Sequence, residues 1–379
     1  MTCAKATILK KVGKGFFLLF CWIVVPLVTL ELAMIILDPY VSMGFYQYDP
    51  DMGFRVRSHV RENALGELET NRFGFNAREY SLQRTPGKFR VLVIGDSFNW
   101  SGGRDGNYTA LLEKKFNSTP GMPEVEVINA GYPMTHTGEQ LVMLKKFGLL
   151  YSPDLVVLGF FAGNDFIDAD PYRKRIVVND TLMDIDRRHE IRLLGYPFVL
   201  KSRLLTFVEQ KYTVFRESLK SKTESKAEGG FSGDTFLSIE ASRMNFCNTK
   251  LFRAGVYRAN IEYIFESILE MSTLLRKKNI PLIVAIYPDE FQVNEEMARD
   301  VFNKFKLSVE DYDIDLMQKV LKGFLEQQEI PYIDMLARFR MAGKTETLYI
   351  PRNTHWNQAG NQLAAEILYE NLLDAVKVK

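Results

Sequence analysis

Between residues 15 and 37 the chain is almost continuously apolar, and from residue 88 onward short apolar runs alternate with amphipathic stretches. The first pattern supplies the roughly 20 residues that a helix needs to cross a bilayer. The second is the pattern of a parallel sheet with crossover helices. It predicts strands at 89–94, 124–128, 154–160, 281–287 and 330–334, and helices at 108–117, 138–149, 257–278, 312–328 and 359–374. The runs DLVVLGF (154–160) and PLIVAIY (281–287) are apolar throughout, which suits strands covered on both faces. The expected fold class is therefore α/β, a three-layer α/β/α sandwich preceded by one transmembrane helix.

Lys5, Lys10, Lys11 and Lys14 precede the apolar span, so the positive-inside rule places residues 1–14 in the cytoplasm and everything after Tyr40 outside it. A cleaved signal peptide is the rival reading. An uncleaved anchor over 15–37 is expected instead, because the stretch exceeds an ordinary signal-peptide core and no small-residue cleavage pattern follows. Glu31 lies inside this span, where a carboxylate is costly without a partner. It either reaches toward headgroups or meets another membrane protein.

Residues 38–88 are rich in Tyr, Phe, Gly and Arg without helical period, and read as a connector with short strands. The following domain, 89–379, is interrupted by an insertion at about 168–251, longer than ordinary loops. The Ser-, Lys-, Glu- and Gly-rich stretch 218–234 within it reads as a mobile loop.

With 379 residues, 46% of them hydrophobic, the chain can bury a substantial core. Its 48 Lys and Arg balance 47 Asp and Glu, leaving no bulk field that would draw nucleic acid. Cys3, Cys21 and Cys247 are too scattered for a metal-ligand spacing or a disulfide framework.

The candidate chemistry lies at strand ends, where open α/β sheets bind ligands. Strand 89–94 runs into Gly95, Asp96, Ser97 and Phe98, which makes Ser97 a candidate nucleophile as well as a candidate helix cap. The next two strands lead to Asn129, Ala130, Gly131 and to Gly163, Asn164, Asp165 at the same edge. Glycine lets a backbone amide approach a reacting oxygen, and an asparagine amide keeps its proton at every working pH. Gly131, Asn164 and the amide of Ser97 could thus form an oxyanion hole, although a turn and a loop cap explain the first two equally simply. A serine hydroxyl also needs a base. Of the four histidines, His355 in PRNTHWNQAG is better placed than His59, His136 or His189. Trp100 and Trp356 flank these blocks and are expected to serve core packing rather than a sugar-stacking wall.

GDSF at 95–98, NAG at 129–131, GND at 163–165 and HWN at 355–357 resemble, in order, the four blocks of the SGNH, or GDSL, hydrolase superfamily. The connector segments DPDMGFRV and TNRFGFNAREY resemble the lead-in of bacterial members. The resemblance implies a flavodoxin-like sheet with Ser97 as nucleophile, His355 as general base, and Ser97, Gly131 and Asn164 as the oxyanion hole. It calls for no metal or cofactor.

One departure stands out: the family's Asp two or three residues before the histidine is replaced by Asn353 and Arg352. Either Asn353 orients the imidazole, as asparagine does in Cys-His-Asn sites, or a carboxylate such as Asp165 substitutes, or the enzyme is impaired. The first reading is preferred. The implied function is an extracytoplasmic serine esterase acting on acyl esters of an envelope glycan or lipid. The alternatives are an O-acyltransferase acetylating envelope polysaccharide, fed by a multi-span membrane acyl-carrier partner, and an inactive glycan-binding module.

Overall fold

The computed structural model describes residues 2–41, 44–62, 68–178, 181–193, 196–197, 202–220 and 230–377. Helix α1 (Thr2–Val41) contains the window Phe17–Met34, long and apolar enough to cross a membrane, with none of its residues fully buried. Beyond it, the segment 44–88 folds onto the main core through Met52, Val56, Phe75 and Tyr80.

Strand β1 (Lys88–Gly95) is followed by a single 3-10 turn at Ser97–Asn99 and by α2 (Tyr108–Asn117). Then come β2 (Glu124–Gly131), α3 (Thr137–Lys146), β3 (Leu155–Phe161) and the one-turn α4 (Asp165–Asp168). The insertion forms a hairpin of β4 (Arg173–Val178) and β5 (Thr181–Asp186), then α5 (Arg203–Lys220) and α6 (Gly233–Met244). Most of the stretch expected to be a loop, 221–229, lies outside the described residues; its flanks belong to α5 and α6. The chain returns through α7 (Arg258–Arg276), β6 (Leu282–Tyr287), α8 (Glu295–Phe305), α9 (Leu316–Gln327), β7 (Tyr332–Asp334), α10 (Leu336–Gly343) and α11 (Gln358–Lys377).

The five-stranded sheet has the order β7-β6-β3-β1-β2, and every neighbouring pair is parallel. This is the flavodoxin-like order. Alternation along β1 sends Leu92 and Ile94 to one face and Val91 and Val93 to the other, as a period of two requires. The first face packs on α3, α7 and α9 through Leu144, Ile268 and Leu321. The second packs on α2, α10 and α11 through Leu112, Phe339 and Leu368. The result is three layers. A smaller core joins Phe236 and Met244 of α6 to Phe291, Val301 and Phe302 around α8, so the insertion is moored to the domain by its own apolar cluster.

Because all five strands are parallel, their carboxyl ends share one edge. Gly95 and Gly131 are register partners there, and Ser97 stands two residues beyond Gly95.

Candidate active site

The turn that presents Ser97 is held from below. Asp96 caps it by accepting a hydrogen bond from the Phe98 amide at 2.9 Å. Asn99 donates to the Val93 carbonyl at 3.2 Å and to Asn129 Oδ1 at 2.9 Å, and accepts from the Tyr108 hydroxyl at 2.8 Å. Gly131 must lack a side chain because Asn99 fills the space a Cβ would take. Trp100 and Trp356, 1% and 0% exposed, are core residues. Both thus pack as the apolar sequence pattern suggests.

His355 comes from the far end of the chain on a loop closed by the Ile350 amide donating to the His355 carbonyl at 2.9 Å. Its Nε2 lies 2.8 Å from Ser97 Oγ, and its Nδ1 lies 2.7 Å from Asn353 Oδ1. The His355 amide also donates to Asn353 Oδ1, at 3.2 Å. That second bond decides the chemistry: an oxygen already accepting from one N–H faces the ring, so Nδ1 carries the proton and Nε2 presents its lone pair to Ser97. Phe98 supports the imidazole from the side, with ring centroids 5.4 Å apart. Asp165 does not contact this ring; its carboxylate accepts from the Phe161 amide at 2.9 Å.

The proposed oxyanion donors are not equally free. The Ser97 amide opens a 3-10 turn, where the first N–H groups have no acceptor within the helix. Asn164 Nδ2 spends one hydrogen on Asp168 Oδ2 at 3.1 Å and retains the other. Asp168 is itself held by Arg175 of β4 at 2.8 Å. The Gly131 amide donates to Asn129 Oδ1 at 3.2 Å and would have to exchange that bond to serve an oxyanion. Gly163 is required because the Asp289 carboxylate occupies the position of a Cβ.

The insertion reaches the histidine loop. Arg243 of α6 donates to Thr354 Oγ1 at 2.9 Å and to Glu240 at 2.8 Å, and lies 3.6 Å from Asp289. The Phe231 amide donates to the Arg352 carbonyl at 2.9 Å. Burial works against the Arg243 charge, but Asp289 and Glu240 outweigh it and raise its pKa. Burial, and then Arg243, pull the His355 pKa down from 6.5 to about 4, leaving the imidazole neutral and ready to accept a proton. Asp96 is pushed up to about 7 by burial, as befits a carboxyl whose Oδ2 has no partner. Neither Arg243 nor Asp168 is announced by a motif. The only signal for Arg243 is that an insertion of this length must pack somewhere.

His136, Glu139, Asp168, Arg175 and Asp184 line a cleft of about 190 Å³, which shares Asp168 with the Asn164 contact. His136 caps α3 and is neutral, its pKa lowered to about 3 by burial and by Arg175.

Residues 246–378, which include His355 but not Ser97, match the family model of the SGNH hydrolase-like domain of the acetyltransferase AlgX. Among solved structures, the acetyl xylan esterase AlAXEase is similar at 13% identity and a TM-score of 0.41, over 75% of this chain and 100% of that one. A lipase/acylhydrolase from Enterococcus faecalis is similar at 16% identity and a TM-score of 0.37, over 77% and 98%. An acetylxylan esterase from Geobacillus stearothermophilus, solved as a catalytic mutant, stands at 13% identity and 0.39, over 77% and 96%. No curated protein matches the chain by sequence.

Proposed function

Because residues 246–378 match an SGNH hydrolase-like domain, that of the acetyltransferase AlgX, we propose that the chain cleaves acyl esters through an acyl-Ser97 intermediate. The observation that carries this reading is the relay from Asn353 Oδ1 through the His355 ring to Ser97 Oγ, with contacts of 2.7 and 2.8 Å. As Oγ attacks the acyl carbonyl, its proton passes to Nε2, and the carbonyl oxygen gathers negative charge between the Ser97 amide and the Asn164 side chain. The protonated ring then returns that proton to the departing alkoxide. A second alcohol or water reverses the sequence and releases the acyl group.

In the first reading the acceptor is water, and the protein is an esterase acting on a cell-envelope glycan or lipid. It is held by α1 as an uncleaved anchor with its catalytic domain outside the cytoplasm. The match of residues 246–378 to an acetyltransferase family favours a second reading, in which the acceptor is a polysaccharide hydroxyl and a multi-span membrane protein delivers the acyl group.

The purified full-length protein, given a chromogenic acetyl ester with and without an oligosaccharide acceptor, tests both. Acceptor-independent turnover supports the esterase, and acceptor-dependent acetylated product supports the transferase. Ser97→Ala should lower kcat on the order of 10⁶-fold, the loss seen when a serine nucleophile is removed. Turnover that survives this change would overturn the proposal.

A further inference from the structure

Glu31, the carboxylate inside the apolar window of α1, is satisfied within the same chain. It accepts from the Arg203 amide at 2.7 Å, the Leu204 amide at 3.0 Å and the Ser202 hydroxyl at 2.7 Å. These donors are at the start of α5, whose first N–H groups lack partners in their own helix. Glu31 thus caps α5 from a different helix. The contact fixes where α5 begins: beside Glu31, three residues before the window ends at Met34.

From that point α5 presents a largely exposed apolar stripe. Leu205, Val208, Tyr212 and Phe215 are 60%, 53%, 64% and 59% exposed. At about 100° per residue, their spacing places all four within an arc of roughly 80°. The helix is also basic in balance, with Arg203, Lys211, Arg216 and Lys220 against Glu209 and Glu217. A contiguous exposed apolar stripe on a soluble surface marks an interaction site. This one starts level with the exposed side chains of the span, so whatever surrounds α1 there also meets α5.

We infer that α5 is an interfacial helix, its Leu205–Phe215 stripe seated in the outer headgroup and acyl boundary of the bilayer that α1 crosses, with Glu31 as the joint between them. Amphipathic helices with aromatic and aliphatic side chains on one face and basic residues elsewhere bind this boundary. The inference rests on the reading of α1 as a membrane anchor. It gives the insertion two attachments, one at the lipid surface through α5 and one at the histidine loop through Arg243 of α6.

The test uses full-length protein in vesicles of phosphatidylcholine and phosphatidylglycerol containing lipids brominated at chosen acyl depths. Native Trp22, exposed in the span, reports α1, while Trp100 and Trp356 are buried and give a constant background. In a Trp22→Phe background, Tyr212→Trp and, separately, Phe215→Trp report α5. Quenching of these introduced indoles, strongest for shallow bromines, supports the inference. Quenching of Trp22 without quenching at either α5 position overturns it, keeps the anchor and leaves the stripe to a protein partner. If Trp22 itself is not quenched, the anchor fails and the inference with it.

Discussion

Asn353 Oδ1 sits 2.7 Å from His355 Nδ1, in the place where serine hydrolases of this pattern put a carboxylate. The amide can hold the ring and its tautomer, but it cannot neutralise the imidazolium that forms during attack. Removing it by Asn353→Ala should lower kcat by up to about 10⁴-fold with little change in KM, the loss seen when a ring-orienting partner is disrupted. Asn353→Asp should move the acid limb of the pH profile upward, because a carboxylate favours the charged ring. Steady-state kinetics of both variants across pH decide the point; a limb that stays put in Asn353→Asp would show that residue 353 does not face the ring.

The expected pH profile of the unaltered protein follows from the same ring. His355, lowered to about 4 by burial and by Arg243, acts as a base only when deprotonated, so kcat/KM should hold down to about pH 5 and fall near pH 4. Arg243→Met removes the neighbouring cation and should shift this limb toward the ordinary value of 6.5. A kcat/KM titration of both proteins measures the two limbs directly.

Asn164 and Asp168 form a donor and its holder. Asn164→Ala should lower kcat by about 10²- to 10³-fold, as removal of an oxyanion donor does. Asp168→Ala, which only frees the amide to turn, should lower kcat by about tenfold, the worth of one hydrogen bond. Rapid-quench measurement of the acylation step separates these effects from product release.

Arg90 is fully buried in β1 and bonds Glu126 at 2.8 Å and the carbonyls of Tyr151, Ser81 and Gln83 at 2.7, 2.9 and 3.1 Å. Arg90→Met should destabilise the domain by about 3–5 kcal/mol, because Glu126 Oε2 and these carbonyls lose the buried guanidinium that donates to them. Adding Glu126→Leu should recover part of the loss. Denaturant titrations of the single and double variants measure it.

The parallel sheet was legible because strands covered on both faces leave unbroken apolar runs such as 155–161, and the blocks around Ser97, Asn129, Asn164 and His355 were legible because each follows a strand or precedes a helix. Helix α8 was not among the expected elements, although Met297, Ala298, Val301 and Phe302 face inward at helical spacing. Its charged outer face and the Asn294 cap hide it within a polar stretch. The hairpin of β4 and β5 was hidden because its strands are only half-buried, so no apolar alternation marks them. Arg243, Asp168 and the Glu31 contact were out of reach for a different reason. Each depends on where an insertion folds back, which local pattern does not encode.

Ser97 and His355 are 258 positions apart, and the ring arrives on a loop that the last described helix, α11, follows directly. During synthesis, therefore, the hydroxyl emerges long before the imidazole proposed to activate it. On the proposed mechanism a nascent polypeptide stays chemically silent until residue 355 has been made, and a premature stop before it yields a product with the serine and without its base.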